Sequence, residues 1–147
     1  GMDIAYKTIL IATDGSKEAG DAFKKAVTMA AVHGKETKLV IAHVIDTPSL
    51  QSMGTFDEKF LEKLTNESLD SLEKLKKQAI ESGVKNVKTH VEYGSPRQLI
   101  AYKLPEKFKA DLLIVGATGL NNIEKLLIGS VTSFVVRNAK IDVLITK

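Results

Sequence analysis

Five short apolar runs, separated by stretches with helical spacing, constrain this chain more than any other feature. "TILIAT" (Thr8–Thr13), "KLVIAHV" (Lys38–Val44) and "DLLIVGA" (Asp111–Ala117) are continuously apolar rather than alternating. A strand reads that way when helices cover both faces of its sheet. "DVLIT" (Asp142–Thr146) is a fifth, shorter strand. "NVKTHVEY" (Asn86–Tyr93) alternates, with Val87, Thr89, Val91 and Tyr93 on one face and Lys88, His90 and Glu92 on the other. That pattern predicts a half-exposed strand at an edge, with His90 exposed.

The segments between the strands have helical periodicity. From Ser16 to His33, Ala19, Ala22, Phe23, Ala26, Val27 and Ala30 lie on one face, and Gly34 is placed to stop the helix. From Phe56 to Ser82, Phe60, Leu61, Leu64, Leu72, Leu75 and Ala79 form a second stripe, ended by Gly83. The repeat is interrupted at Ser68, so a helix packed on a sheet fits better than a coiled coil. "SPRQ" predicts a helix start, with Ser95 as N-cap, Pro96 at the first position and Gln98 closing a capping box. Pro105 is expected to break or kink that helix near Leu104. Ser130–Asn138 is a short helix, and "DTPSLQSMGT" reads as a polar loop.

Strands separated by helices run parallel, with the helices on both faces. The expectation is one α/β domain over residues 1–147, with a single open five-stranded parallel sheet of Rossmann-like type. At 147 residues the chain can sustain its own core.

Composition excludes several functions. There is no cysteine, so disulfides, thiolate catalysis and cysteine-held metals are ruled out. Net charge is +3 with the two signs interspersed, tryptophan is absent and aromatics are 5%. A basic stripe with stacking rings is missing, so no nucleic-acid partner is expected. No apolar run approaches the ~20 residues of a membrane span, and "ILIA" is too short for a secretion signal. A cytoplasmic location is the expectation.

Two loops leave strand ends with unusual chemistry: "TDGS" after the first strand and "GATG" after the fourth. Ligands bind open parallel sheets at the carboxyl ends of strands, where the winding reverses. Both loops line one site if strands one and four are neighbours, which favours the order 3-2-1-4-5. The second loop begins a longer pattern. Two residues separate Gly116 from Gly119, nine separate Gly119 from Gly129, and Ser130 follows. Glycines permit positive φ and close approach of backbone to a ligand. Their N–H groups can cradle an anion, and Gly129–Ser130 opens a helix whose N-terminus suits phosphate. Each glycine alone has a structural reading, as a strand end, a turn or the residue before a cap.

Other chemistry is missing. There is no G-x4-G-K-(S/T), no G-x-G-x-x-G after the first strand and no G-x-S-x-G. His33, His43 and His90 lack metal-ligand spacing, and His43 lies in a buried-strand pattern. Asp14 is the one carboxylate expected to face the site, as a ribose or metal contact or as a turn residue. With no second acid or base beside it, binding is expected rather than efficient turnover.

The glycine pattern, together with "ILIATDGS", "HVID", "ADLLIVGATG" and "GSVT", resembles the ATP-binding branch of the universal stress protein family. The resemblance runs through essentially the whole chain. It implies an ATP-binding, often homodimeric protein of stress adaptation. Ala12, Thr13 and Asp14 would border the adenosine, and the main chain of Val44 would meet the adenine edge. Gly116, Ala117, Thr118 and Gly119, with Asn122, would wrap the phosphates from one side. Gly129, Ser130, Val131 and Thr132 would hold them from the other. Many relatives carry serine at Ala117 and histidine or arginine at Thr118, so a cation is missing here. AMP or ADP in place of ATP, and an accompanying Mg or Mn ion, stay open. So do a slow ATPase or phosphoryl-transfer enzyme and a nucleotide-free interaction module. The unprotected apolar strand Asp142–Thr146 implies a homodimer edge.

Overall fold

The computed structural model describes residues 6–13, 17–33, 36–54, 56–117 and 128–147. Five strands, β1 (Thr8–Thr13), β2 (Lys38–Ile45), β3 (Asn86–Tyr93), β4 (Leu112–Gly116) and β5 (Asp142–Thr146), form one sheet in the order β3-β2-β1-β4-β5. Every pairing is parallel, as the alternation of strands and helices requires.

The apolar runs are continuous because successive side chains enter two different cores. Ile9 and Ile11 of β1, Leu39 and Ile41 of β2, and Leu112 and Ile114 of β4 share one cluster. It is covered by α1 (Lys17–His33) and α3 (Glu58–Glu81), through Phe23, Ala26, Leu72 and Ala79 among others. Leu10, Val40, Ala42, Leu113 and Val115 point the other way. There they meet α4 (Pro96–Gln98), a π-helical turn (Leu99–Lys103), α5 (Leu104–Phe108) and α6 (Ser130–Asn138).

Several local expectations are corrected. Residues after β2 do not form a plain loop: α2 (Thr47–Ser52) follows at once. Asp46 caps it, accepting the Ser49 N–H at 3.1 Å and the Ser49 hydroxyl at 2.8 Å, and Pro48 occupies the first turn. Pro105 does not break its helix either. Leu104 donates its N–H to the carbonyl of Leu99, five residues back, and the helix runs on to Phe108. The widened turn absorbs the missing donor and the ring of Pro105, which is buried. Ser95 is the N-cap of α4, but its side chain makes no capping bond, so the capping box is not formed. In α3, Ser68 sits on the buried face and satisfies its hydroxyl on the Leu64 carbonyl at 2.8 Å, while Phe60 in the first turn is exposed. Gly83 does end α3, at φ +104°, a conformation glycine adopts without strain.

The amino ends of the strands are laced together. The Asp111 carboxylate accepts the N–H groups of Lys7 at 2.9 Å and Thr8 at 2.8 Å, and Asp111 N–H donates to the Thr8 carbonyl at 3.1 Å. Lys38 N–H donates to the Lys7 carbonyl at 2.9 Å, and the Thr37 hydroxyl to the Tyr6 carbonyl at 2.8 Å. The Tyr6 hydroxyl donates to Asp142 at 2.8 Å. That bond to a carboxylate, helped by burial, raises the phenol above its ordinary 10.0.

β3 is an edge strand, as its alternation implied, but His90 is not a free surface residue. It is half-buried, with Nε2 3.0 Å from Glu92 Oε1 and its ring edge-on to Phe108 at 5.1 Å. The bond from His90 holds the Glu92 carboxyl below its ordinary 4.5. The Tyr93 N–H and the charges of His90 and Lys107 add to this and outweigh the opposing effect of burial. A depressed folded-state pKa stabilises the fold above about pH 4.5, and that stability is lost as pH falls through the folded value. Urea midpoints of the wild type and Glu92→Gln should therefore differ at pH 6 in favour of the wild type. The gap should close by about pH 3.

Candidate functional site

The winding reverses at β1. β2 and β3 lie on one side of it and β4 and β5 on the other, so the β1–β4 boundary is the crevice where open α/β sheets bind ligands. Register pairs Ile9 with Leu112, Leu10 with Leu113 and Ile11 with Ile114. Ala12 and Thr13 continue past the last of these pairs at the carboxyl end of β1. Ala12 is half-buried and Thr13 buried. On β2, Val44 is half-buried and pairs with Glu92 of β3. His43 is also half-buried, in register with Thr13 and Val91, rather than fully inside the core.

The end of β4 is closed by backbone bonds to two other elements. Gly116 pairs with Thr146 of β5, and Ala117 N–H donates to the Thr146 carbonyl at 2.8 Å. Gly129 N–H donates to the Ala117 carbonyl at 2.8 Å. The Thr132 hydroxyl donates to the Gly116 carbonyl at 2.7 Å and is buried there. The first and last glycines of the sequence pattern thus meet, with the start of α6 clasped against the end of β4.

Two details differ from the sequence reading. Positive φ is not what these glycines supply: Gly116 lies within β4, and Gly129 has φ −61° and ψ 157°, open to any residue. What they provide is bare backbone at a close approach. The Gly116 carbonyl, for its part, is already taken up by the Thr132 hydroxyl.

Gly129 is the N-cap of α6 and offers no side chain, so no side-chain oxygen satisfies the first N–H groups of the helix. Ser130 is exposed, and its hydroxyl makes no hydrogen bond among the described residues. Val131 is half-buried against the core. Among the described residues no side chain caps these donors, and a helix N-terminus left so suits an anion. Asp14, Thr118, Gly119 and Asn122 lie outside the described residues. Among those described, no group of three His, Asp or Glu side chains could hold a metal, and no helix is long and apolar enough to cross a membrane. The Thr132–Gly116 bond is the feature sequence reasoning missed. A threonine three residues after the N-cap glycine was its only signal.

The fold is shared with known proteins. A model of the universal stress protein family matches residues 5–147. A universal stress protein of Staphylococcus saprophyticus is 43% identical over 144 residues, covering 98% of this chain and 85% of the relative. Among solved structures, a universal stress protein from Lactobacillus plantarum is 28% identical with a TM-score of 0.83, covering 99% of this chain and 100% of that one. A universal stress protein in complex with cAMP is 30% identical with a TM-score of 0.71, covering 97% of each chain.

Replacing Thr132 by valine keeps the shape and leaves the half-buried Gly116 carbonyl without this donor. The expected cost is about 1–3 kcal/mol, read from the urea midpoint, with Thr132→Ser losing clearly less.

Proposed function

The chain belongs to the universal stress protein family, and from that premise we propose that it is an ATP-binding regulatory module. The observation that carries the reading is the clasp between the start of α6 and the end of β4. It sets helix N–H donors beside the crevice at which the sheet reverses. The residues fit a nucleotide polyphosphate: bare backbone at Gly116 and Gly129 and, among the described residues, an unpartnered hydroxyl at Ser130 and no side-chain cap competing for the donors. The solved complex of a relative with cAMP supports an adenine nucleotide as the ligand class.

In this reading the main chain of Val44 meets the adenine edge, and Ala12, Thr13 and Asp14 border the ribose. Gly116–Gly119 and Asn122 face Gly129–Thr132 across the phosphates. The chain's own residues bind and orient the nucleotide and exclude water from one side of it. No described group is placed as a general base, which favours occupancy over turnover as the signal.

ATP at 100 times its dissociation constant should stabilise the protein by roughly 2.7 kcal/mol, visible as a raised melting temperature. cAMP and AMP, run in parallel, rank the phosphate preference. Gly119→Val, which puts a branched side chain where backbone should approach phosphate, should abolish the ATP shift. A mutant that keeps the full shift would overturn the assignment of this loop.

We also propose a homodimer through the outer edge of β5. The apolar run that suggested it is partly used within the chain: Leu144 packs into one core, and Val143 and Ile145 into the other. The argument therefore rests on the backbone. β5 pairs only with β4, so its other edge offers ladder groups to a second copy. Light scattering should give about twice 16.0 kDa at high concentration. Proline at Val143 or Leu144 should dissociate the dimer from whichever position donates outward.

A further inference from the structure

Between Asp46 and Asp57 the sequence "TPSLQSMGTF" carries no charge, in a chain that is 27% charged. α2 occupies the first six of these residues. None of them is buried, and none belongs to either core. Packing on the sheet therefore does not hold this helix in place.

Its own hydrogen bonds hold it together instead. The Asp46 carboxylate caps it through the N–H and the hydroxyl of Ser49. The Ser52 hydroxyl donates to the Ser49 carbonyl at 2.8 Å. The Met53 N–H returns to the carbonyls of Ser49 and Leu50, and the Gly54 N–H to that of Gln51 at 3.2 Å. A unit whose bonds close on themselves and that buries no residue can shift as a body at low cost.

The chain on either side of it is tied to the end of β3. Gly94 donates its N–H to the Ile45 carbonyl at 3.1 Å, just before α2. Beyond α2, the hydroxyls of Thr65 in α3 and Tyr93 in β3 share a hydrogen bond at 2.7 Å. Gly54, at φ +74° and with nothing within 4 Å of an added Cβ, is a joint between α2 and α3.

α2 also stands beside the crevice. β1 pairs with β2 as far as Thr13 and His43, while β2 runs on through Val44 and Ile45 into Asp46. The helix thus leaves the carboxyl end of the strand next to β1, about 4.8 Å away across the sheet. What it presents decides which part of a ligand it suits. It has no cation for a phosphate, and the carboxylate beside it is taken up by the cap. It offers Leu50, half-buried, and Met53, 67% exposed, three residues apart and so on neighbouring positions of one helix face. A thioether packs favourably against an aromatic ring.

We infer that α2 is a lid that closes over the base of the bound nucleotide, with Leu50 and Met53 as its inner face. The inference rests on the ATP-binding reading above and deepens it, giving the site a part that responds to the base rather than to the phosphates.

The test is hydrogen–deuterium exchange of the full chain, read by mass spectrometry, with ATP, adenosine or inorganic tripolyphosphate. ATP and adenosine should slow exchange at the amides of Ser49–Gly54 by about tenfold or more, and tripolyphosphate should not. Met53→Ala and Leu50→Ala should each weaken ATP and adenosine alike by about fivefold, the scale of one apolar or thioether contact with a ring. Val32→Ala, which trims a comparably exposed side chain at the far end of α1, should bind both as the wild type does. α2 contributes to neither core, so the fold should survive, as circular dichroism would verify. ATP that binds and leaves these amides exchanging as in the free protein would overturn the lid alone. So would wild-type affinity in both α2 variants, or protection of α2 by tripolyphosphate as strong as by ATP. A wild type that binds neither ATP nor adenosine would overturn the ATP-binding reading and the lid with it.

Discussion

Strand β1 has neither a free edge nor a free face, and the rest of the molecule is arranged around that constraint. Ile9, Leu10 and Ile11 are 1%, 0% and 0% exposed. A strand in that position needs partners on both sides, which β2 and β4 supply, and a helical layer above and below, which the crossovers supply. Right-handed connections then wind outward in opposite directions from the centre. The boundary between β1 and β4 cannot be bridged by one continuous turn of chain, so a crevice opens at their carboxyl ends. The site is a by-product of burying the central strand.

The chemistry of that crevice follows from what is absent. Glycine at 116 and 129 lets α6 close on β4 through main-chain and hydroxyl bonds at 2.7–2.8 Å. A side chain at Gly129 would have served as a cap and taken up the same N–H groups that an anion needs. The clasp takes up the carbonyls of Gly116 and Ala117 and the N–H of Gly129, while no described side chain caps the first turn of α6.

Much of the fold was legible because burial on two faces leaves a simple trace. The bounds of β1, β3 and β5 read from apolar pattern coincide with those observed, and the strand order followed from asking that two loops share one site. What was missed depends on partners the periodicity does not encode. α2 carries its own cap in Asp46, but the polar residues around it hid a helix that buries no residue. The turn before Pro105 stays helical because one bond slips to a partner five residues back, an adjustment made by packing in the core rather than by propensity. His90 lay in an exposed phase of its strand, yet Phe108, eighteen residues on, covers it. In the site, the glycines at the end of β4 and at the start of α6 were readable as spacing. The hydroxyl of Thr132 was not, because its acceptor is a carbonyl sixteen residues away.

The pairing of Gly116 with Thr146 joins the two ends of this picture. Thr146 accepts from Ala117 on its inner side, while the outer side of β5 is the open edge of the sheet. A ligand at the end of β4 and a second chain on the outer edge of β5 would have only β5 between them, two strand spacings or about 10 Å. Were both to occur, any coupling between occupancy and assembly would be reciprocal, each returning to the other the free energy it receives.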